Sequence, residues 1–514
     1  MRFKDWKSPK IEERTLTKYN WVVQHKDKLE LGYKTDIGTF TYINAKNGVV
    51  IEDYVQIGSH CSIYSVSTID NKEGEVILKK NCRIGSHSVV MPGVTIGENS
   101  IVGAFSFVNK NLPANVIAFG MPVKIVKGLK EIGRGNKMTW KIPLFKIYWD
   151  GEDVEAVTES IRSGMNWATG PNVAKFEESI ASYVGTEYAI TFNSGTSALH
   201  AALLAHEVQR GDEVIVPSFT FIATANAPLF VGAKPVFADI EEETFGLDPE
   251  DVKEKITENT KAIIPVHYGG CPCKIRALKE IAEDHNLILI EDAAESLGAR
   301  IGDKKVGTFG DSALLSFCQN KIITTGEGGA IVTGSRELYE KLKLLRSHGR
   351  LETQDYFSSS EIMDYITLGY NFRMSNLTAA LGIAQLRKAD RIIEMRRKNI
   401  EYLIMGLKDT REITIQKPPK DYYNVYQMFT IRVSANSRKE LVKYLADKGV
   451  MTKVYFMPVH LTHFYKNELG YTCKLPVTEK LSKQVLTLPM YPTLTKEEMD
   501  YMVEEIKNFC EVIR

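Results

Sequence analysis

Aliphatic residues recur at every sixth position in the first quarter of the chain. Two unbroken runs and an offset leading pair carry this period: Ile51, Ile57, Ile63 and Ile69; Ile84, Val90, Ile96, Val102 and Val108; and Ile37 and Ile43. Glycine follows several of them, at Gly58, Gly85, Gly97 and Gly103. A period of six with small neighbours is typical of a three-sided coil whose flat faces stack on one another. Residues 70–75 interrupt the period and are predicted to form a projecting loop.

A different pattern begins near residue 188, where short apolar runs alternate with helical segments. The predicted strands are 188–192, 213–216, 234–237, 262–266, 287–290, 313–317 and 329–332. This alternation predicts a mostly parallel sheet covered on both faces, with the site built from loops at the strand carboxyl ends. A predicted helix at 152–163 precedes the sheet. From about residue 388, helices mix with strands such as 426–432.

One lysine stands out among these loops. Lys321 lies between the predicted strand 313–317 and a glycine-rich turn that ends at Gly329. An amine at a strand end, close to Ser316, suits attack on a carbonyl to form an imine. A solvated loop lysine is the alternative, so the chemical interpretation depends on companion segments.

Three such segments are present. Residues 193–197 lead directly into a helix, whose N-terminal amides favour a phosphate, although an ordinary N-cap has the same composition. Phe221 follows the strand 213–216 and could stack on a ring, although an aromatic there also suits the core. Asp292 ends a buried strand, where an acid can keep a pyridine nitrogen protonated; a helix N-cap is the alternative. Together, in this order, the segments indicate a pyridoxal phosphate site.

From about residue 149 to its end, the chain resembles the DegT/DnrJ/EryC1/StrS family of sugar aminotransferases, and within it the perosamine synthase branch. The matching segments are NSGTSALH at 193–200, PSFTF at 217–221, PVHYG at 265–269, EDAA at 291–294, NKIITTGEGG at 320–329 and GYNFRMS at 369–375. The resemblance implies the fold-type I architecture of pyridoxal phosphate-dependent transferases. Cys318 departs from the family, in which many members carry histidine, and this leaves the details of the substrate open.

The same resemblance implies roles for individual residues. Lys321 and Asp292 are the expected catalytic residues of a ping-pong transamination, in which the lysine amine moves the proton. The other expected cofactor contacts are Gly195, Thr196, Ser197, Phe221, Glu295, Ser316 and a neighbouring subunit's Asn371. The expected substrate contacts are Thr169, Tyr268 and His460.

Residues from about 32 to 130 resemble the hexapeptide-repeat superfamily of left-handed β-helix acyltransferases. The matching text is IGSHSVVMPGVTIG at 84–97 and AFGMPVK at 118–124. The resemblance implies a trimer, an acyl-CoA co-substrate such as acetyl-CoA, and a histidine base. Thr68 occupies the position of that histidine in one branch, so His60 and His87 remain the candidates. A packed or solvent-facing structural role is the alternative for both.

These patterns divide the chain into four predicted parts. Residues 1–131 form the β-helix, 132–145 a charged linker, 146–387 the large cofactor-binding domain and 388–514 a small α+β domain. The family resemblances imply a dimer through the aminotransferase part and a trimer through the β-helix. Closed symmetry that satisfies both contacts would give a hexamer.

Composition narrows the choice of function class. The chain carries 65 Lys and Arg against 64 Asp and Glu, a formal net charge of +1, which gives no sign of nucleic-acid or membrane-surface binding. No apolar run approaches the roughly 18 residues of a membrane span, so a cytoplasmic location is expected. The 7 cysteines show no paired zinc spacing, and no metal site is expected.

The sequence therefore predicts an aminotransferase that moves an amino group from L-glutamate to a nucleotide-diphospho-sugar, with a 4-keto-6-deoxyhexose as the expected acceptor. A second hypothesis is that the β-helix N-acetylates the new amine; the alternative is a β-helix that serves assembly alone. A cofactor-dependent sugar dehydratase has histidine in place of the lysine, so Lys321 counts against it. A regulatory role is disfavoured by four intact cofactor motifs. The nucleotide, the sugar configuration and the choice between C3 and C4 stay open.

Overall fold

The computed structural model describes residues 6–128, 140–351, 360 and 362–512. The chain divides into two compact units, residues 1–138 and 139–514. Residues 132–139 of the predicted linker lie outside the described residues. None of the described helices combines the length and the apolar composition that crossing a bilayer requires.

The first unit is a three-sided parallel β-helix. Its strands are β1 (Val22–Gln24), β2 (Leu29–Leu31), β3 (Asp36–Ile37), β4 (Tyr42–Asn44), β5 (Val49–Ile51), β6 (Gln56–Ile57), β7 (Ser62–Tyr64), β8 (Val66–Ser67), β9 (Lys72–Glu73), β10 (Val76–Leu78), β11 (Arg83–Ile84), β12 (Val89–Val90), β13 (Thr95–Ile96), β14 (Ile101–Val102), β15 (Phe107–Val108), β16 (Val116–Phe119) and β17 (Lys124–Gly128). The three faces are the sheets β1-β4-β7-β12-β15, β2-β5-β10-β13 and β3-β6-β11-β14-β16, and β17 extends the third sheet antiparallel to β16.

The period-six aliphatics form the core of this coil. On one face Ile43, Ile63, Val90 and Val108 lie in register on successive turns and are fully buried. Small residues follow them because successive turns approach closely: a Cβ on Gly85 would lie 2.3 Å from the backbone nitrogen of Ala104. The predicted repeat architecture is confirmed.

Ile69 is the exception, since it continues the six-residue period in the sequence but does not lie in the core. Its side chain is 96 % exposed because the chain leaves the coil after β8 and returns through β9, which pairs antiparallel with β8. The projecting loop therefore begins before residue 70. The coil resumes at β10, where Val76 and Leu78 are buried.

The second unit is built on a seven-stranded sheet of order β18-β26-β25-β22-β21-β19-β20. Strands of this unit are β18 (Tyr188–Phe192), β19 (Glu213–Pro217), β20 (Lys234–Ala238), β21 (Thr260–Ile263), β22 (Ile288–Asp292), β23 (Arg300–Ile301), β24 (Lys304–Lys305), β25 (Ser312–Ser316), β26 (Gly329–Thr333), β27 (Thr414–Ile415), β28 (Tyr422–Tyr423), β29 (Phe429–Arg432) and β30 (Val485–Leu488). All strands of the large sheet are parallel except β26, which is antiparallel to both neighbours. The seven predicted strands and the mostly parallel sheet are confirmed.

Helices cover both faces of this sheet and form the smaller domain. They are α1 (Gly151–Arg162), α2 (Pro171–Val184), α3 (Gly195–Ala205), α4 (Ile222–Phe230), α5 (Pro249–Lys255), α6 (Ile275–Asp284), α7 (Arg336–Arg346), α8 (Asn376–Arg387), α9 (Ala389–Leu407), α10 (Ala435–Asp447), α11 (Pro476–Gln484) and α12 (Lys496–Val512). The first turns of α9 pack in the core of the large domain, through Ile392 and Ile393, while its later turns pack in the small domain. One continuous helix thus joins the two domains.

The small domain packs its helices on the antiparallel sheet β27-β29-β30. Ile142, in the segment predicted as linker, is fully buried in this core and pairs with Val450. The second unit therefore includes residues 140–145, since an apolar side chain there is buried with the small domain. Val459, Tyr465 and Leu475 pack back against the large domain.

The contrast between Ile63 and Ile69 gives a matched test of the β-helix core. Ile63→Ala should destabilise the first unit by about 2–5 kcal/mol, because it leaves a cavity between stacked turns. Ile69→Ala should change stability by less than about 0.5 kcal/mol, since the side chain is exposed. Calorimetric unfolding of both variants checks this, and equal losses would contradict the assignment of the loop.

Candidate active site

The carboxyl ends of β18, β22 and β25 and the start of β26 lie on the same side of the large sheet. Gly329, the first residue of β26, pairs with Phe192 at the end of β18 and with Ser316 at the end of β25. Asp292 ends the neighbouring strand β22 and pairs with Leu314. Because the carboxyl ends of parallel strands share an edge, this places the acid beside the loop that carries the lysine.

Asp292 is a buried acid held by two donors. The Thr224 hydroxyl donates to its Oδ2 at 2.7 Å, and the Ala294 amide donates to its Oδ1 at 3.2 Å. Burial raises the pKa of Asp292, while the Thr224 and Ala294 hydrogen bonds and the Lys321 charge act in the opposite direction. A negative charge at this position therefore depends on those neighbours.

The Lys321 side chain is largely buried and lies beside an acidic residue. Its Nζ lies 3.4 Å from Oε1 of Glu295, and the side chain is only 14 % exposed. The second Glu295 oxygen accepts a hydrogen bond of 2.9 Å from the Gly269 amide, which fixes the carboxylate. The structure thus brings together Lys321, Glu295 and Asp292 and does not leave the lysine on a solvated loop.

The start of α3 is the predicted phosphate cradle. Ser194 caps the helix by accepting a hydrogen bond of 3.1 Å from the Ser197 amide. The first-turn amides of Gly195 and Thr196 have no acceptor within the helix, as at every helix start. Ser316 closes the cradle, since a Cβ on Gly195 would lie 3.5 Å from its Oγ. These donors suit a phosphate, and side chains larger than glycine would narrow the space.

Phe221 and Asn371 lie at the exposed margin of the predicted cofactor site. Phe221 is the N-cap residue of α4 and is 61 % exposed, and its ring centroid lies 6.4 Å from that of Phe456. Its exposed face leaves room for stacking. Asn371 is exposed, and its backbone oxygen accepts a hydrogen bond of 3.3 Å from Asn193, beside the cradle of its own subunit. Its predicted reach into a neighbouring subunit stays a prediction.

The three predicted substrate contacts lie in different environments. Thr169 lines a surface cavity together with Arg346, Arg350 and Arg373. Tyr268 and His460, by contrast, are 1 % exposed.

Both buried residues use their polar atoms inside the protein. The Tyr268 hydroxyl donates to the backbone oxygen of Tyr455 at 2.8 Å, and His460 Nδ1 lies 2.6 Å from the Ser218 hydroxyl. Packing and hydrogen bonds cover both side chains, so they support the neighbouring loops, and their predicted contact with the substrate stays a prediction.

His60 and His87 lie in the first unit, at an exposed corner of the coil. Their rings stack on each other at 4.7 Å, between Phe40 on one side and Phe105 on the other. Both residues have left-handed backbone angles, with φ of 56° and 58°. Successive turns of the β-helix thus bring the two candidate histidines together as neighbours in a ladder of rings.

Glu291, next to Asp292, has a role that the sequence alone did not indicate. It is fully buried and accepts hydrogen bonds from the amides of Gly307, Phe309 and Gly310 at 2.7 to 2.9 Å, and it lies 3.1 Å from His267 Nε2. Burial alone would raise the pKa of Glu291, but His267 and the backbone amides lower it below its usual value. The available signal was strand alternation, since two consecutive acids point to opposite faces.

The arrangement of sheet, lysine and buried acid defines a fold-type I transferase site, and solved structures share this fold. PseC from Helicobacter pylori, an aminotransferase of pseudoaminic acid biosynthesis, matches with a TM-score of 0.68 and 30 % identity over 72 % of this chain and 99 % of its own. NtdA from Bacillus subtilis, solved with bound cofactor PMP, matches with a TM-score of 0.64 and 31 % identity over 70 % of this chain and 83 % of its own.

The chain belongs to the DegT/DnrJ/EryC1/StrS aminotransferase family, whose model matches residues 148–507. Among similar proteins is the GDP-perosamine synthase of Escherichia coli O157:H7, 38 % identical over 72 % of this chain and 98 % of its own length. The bacterial transferase hexapeptide model matches residues 75–110. Both predicted family resemblances are therefore confirmed. Within the described residues, no group of three or more His, Cys, Asp or Glu side chains is arranged to hold a metal ion.

The buried Glu291 network gives a prediction about stability and pH. Glu291→Gln should destabilise the second unit by about 2–4 kcal/mol near pH 7, because the new amide group would face backbone N–H donors. The exposed Glu258→Gln serves as the control.

The sign of the pH dependence follows from the lowered pKa. The Glu291 carboxylate contributes stability above its unfolded value of about 4.3, and the contribution is lost as pH falls through the folded value. The difference in melting temperature between wild type and Glu291→Gln should therefore shrink on acidification below about pH 4.3. A difference that is constant with pH would contradict the ionised assignment.

Proposed function

We propose that the second unit is a pyridoxal phosphate-dependent aminotransferase that acts on a nucleotide-diphospho-sugar, with a 4-keto-6-deoxyhexose as acceptor and L-glutamate as amino donor. The observation that carries this is the placement of Lys321 beside Asp292 and the α3 N-terminus at one sheet edge. Membership of the aminotransferase family and the GDP-perosamine synthase relative support the substrate class.

The residues present fit the cofactor. First-turn amides of α3 and the Ser316 hydroxyl suit a phosphate dianion. Asp292 is a buried acid that suits a protonated pyridine nitrogen, and Lys321 is an amine that suits an aldehyde. The bound cofactor would supply an aromatic ring that accepts electrons from the substrate carbon.

The chain's own residues then bind, orient and move a proton. With the cofactor bound, the Lys321 amine would take the proton from the substrate carbon that bears the nitrogen and would later give a proton back. Glu295, 3.4 Å from the lysine Nζ, holds that amine in place between the two transfers. Phe221 offers its exposed ring as a cover for the cofactor. A lysine at this position, rather than histidine, favours transamination over dehydration.

Replacing the lysine tests this proposal. Lys321→Ala should fold but lose at least about 10²-fold of the rate at which L-glutamate is converted to 2-oxoglutarate, because no other amine replaces the proton carrier. Borohydride treatment with pyridoxal phosphate should add the reduced cofactor's mass to the Lys321 peptide of wild type and not to that of the variant. Lys279→Ala, on the surface of α6, should behave as wild type. Full turnover by Lys321→Ala would refute the assignment.

For the first unit, we propose that the β-helix transfers an acyl group from acetyl-CoA to the newly installed amine. The hexapeptide transferase match at residues 75–110 favours this, since it includes the exposed His87. In the reaction the sugar nitrogen attacks the thioester carbonyl and the carbon–sulfur bond breaks, while a histidine accepts the nitrogen's proton and passes it to the departing coenzyme A thiolate. Trimeric contacts of the β-helix combined with a dimeric aminotransferase would assemble six chains.

A coupled assay distinguishes acylation from a purely architectural β-helix. Wild-type protein supplied with nucleotide-linked 4-keto-6-deoxy sugars, L-glutamate and acetyl-CoA should yield an amino sugar and then its N-acetyl derivative, both read by mass. The double variant His60→Ala/His87→Ala should form the amino sugar but not its N-acetyl derivative. Wild type that also stops there would leave the β-helix with assembly alone.

A further inference from the structure

Two buried threonines lie behind the predicted cofactor acid. Thr224, in the first turn of α4, donates its hydroxyl hydrogen to Asp292 Oδ2 at 2.7 Å. Thr220, in the loop that precedes the helix, places its Oγ1 2.9 Å from the Thr224 Oγ1. The side chains are 3 % and 1 % exposed, for Thr220 and Thr224 respectively, so water does not substitute for either hydroxyl.

The direction of these hydrogen bonds follows from what each group can donate. An ionised carboxylate only accepts, and a hydroxyl has one hydrogen to give. When Thr224 gives its hydrogen to Asp292, the hydrogen between the two threonines must come from Thr220. The result is a polarised chain from Thr220 through Thr224 to Asp292, and each bond strengthens the next.

This chain opposes the effect of burial. Asp292 lies in an environment that favours its neutral form, and the Thr224 hydrogen bond is the largest of the contributions that favour the charged form. The Ala294 amide occupies the other oxygen at 3.2 Å. Two donors thus fix the plane of the carboxylate and leave further lone pairs available for a partner.

We propose that Thr224, oriented by Thr220, is a positioning residue that keeps Asp292 ionised and correctly turned, so that the acid can hold a proton on the pyridine nitrogen of the cofactor. This inference rests on the proposed function of the second unit. Neither threonine touches the substrate in this role; both act through Asp292. The pair would therefore set how strongly the site holds the cofactor and in which protonation state.

The experiment compares Thr224→Val, which removes the hydroxyl and keeps the shape, with Thr224→Ser, which keeps the hydroxyl. Two quantities are measured: the dissociation constant of pyridoxal phosphate from the apoprotein, and the ¹⁵N resonance of the ring nitrogen in ¹⁵N-labelled cofactor. Thr224→Val should weaken binding on the order of ten- to a hundredfold, the effect of losing one hydrogen bond to a charged group. Its ring nitrogen should lose its proton at lower pH than in wild type.

Two further variants complete the test. Thr220→Val should shift both quantities in the same direction by a smaller factor, and it reports on the chain even if Thr224→Val does not fold. Thr224→Ser should match wild type. Thr410→Val is the matched control, because its hydroxyl is buried and has no hydrogen-bond partner among the residues described.

The outcomes separate this inference from the function on which it rests. Wild type that binds pyridoxal phosphate, with Thr224→Val and Thr220→Val unchanged in affinity and in ring-nitrogen protonation, would overturn the threonine chain alone. Wild type that binds no pyridoxal phosphate would overturn the proposed function and this inference together. A purely structural role for Thr224 would lower the melting temperature without moving the ¹⁵N resonance, and that result also overturns the inference.

Discussion

The site depends on one buried carboxylate, Asp292, whose charge must be maintained inside the protein. An uncompensated charge there is costly, so the surrounding groups determine whether it exists. The Thr224 hydroxyl and the Ala294 amide supply hydrogen bonds, and Lys321 supplies a positive charge at a distance. The Thr224 and Ala294 hydrogen bonds therefore offset part of the cost of burying this charge.

The strand that carries Asp292, β22, is held in place by a second buried acid, Glu291. Glu291 points to the opposite face of β22 and is bonded by the amides around Gly307 and Gly310 and by His267. Its bonds tie β22 to the turn before β25, the strand that ends at Ser316. The two consecutive carboxylates therefore have different roles. Glu291 fixes the position of the strand, and Asp292 places its charge in the site.

Much of this could be predicted from the sequence, for identifiable reasons. The large-sheet strands are buried apolar runs, so their positions along the chain could be predicted, and the six-residue period predicted the β-helix. The order of the strands within the sheet was not predicted, because it depends on long-range pairing. The exposure of Ile69 was not predicted, because the aliphatic pattern continues for one position after the chain has left the coil. Tyr268 and His460 lie next to site loops in sequence, but which side of a loop a side chain faces is decided by packing from distant segments, such as Tyr455 and Ser218. The threonine chain depends on the same kind of long-range contact, between α4 and β22.

In the proposed site, Lys321, Asp292 and the start of α3 surround a single pyridoxal phosphate. The most direct measurement is a crystal structure of the wild-type protein grown with that cofactor. We expect electron density continuous with Lys321 Nζ, a phosphate on the amides of Gly195 and Thr196, and the ring nitrogen within hydrogen-bonding distance of Asp292. Cofactor density at another place, or bound with Asp292 remote from the ring nitrogen, would contradict it.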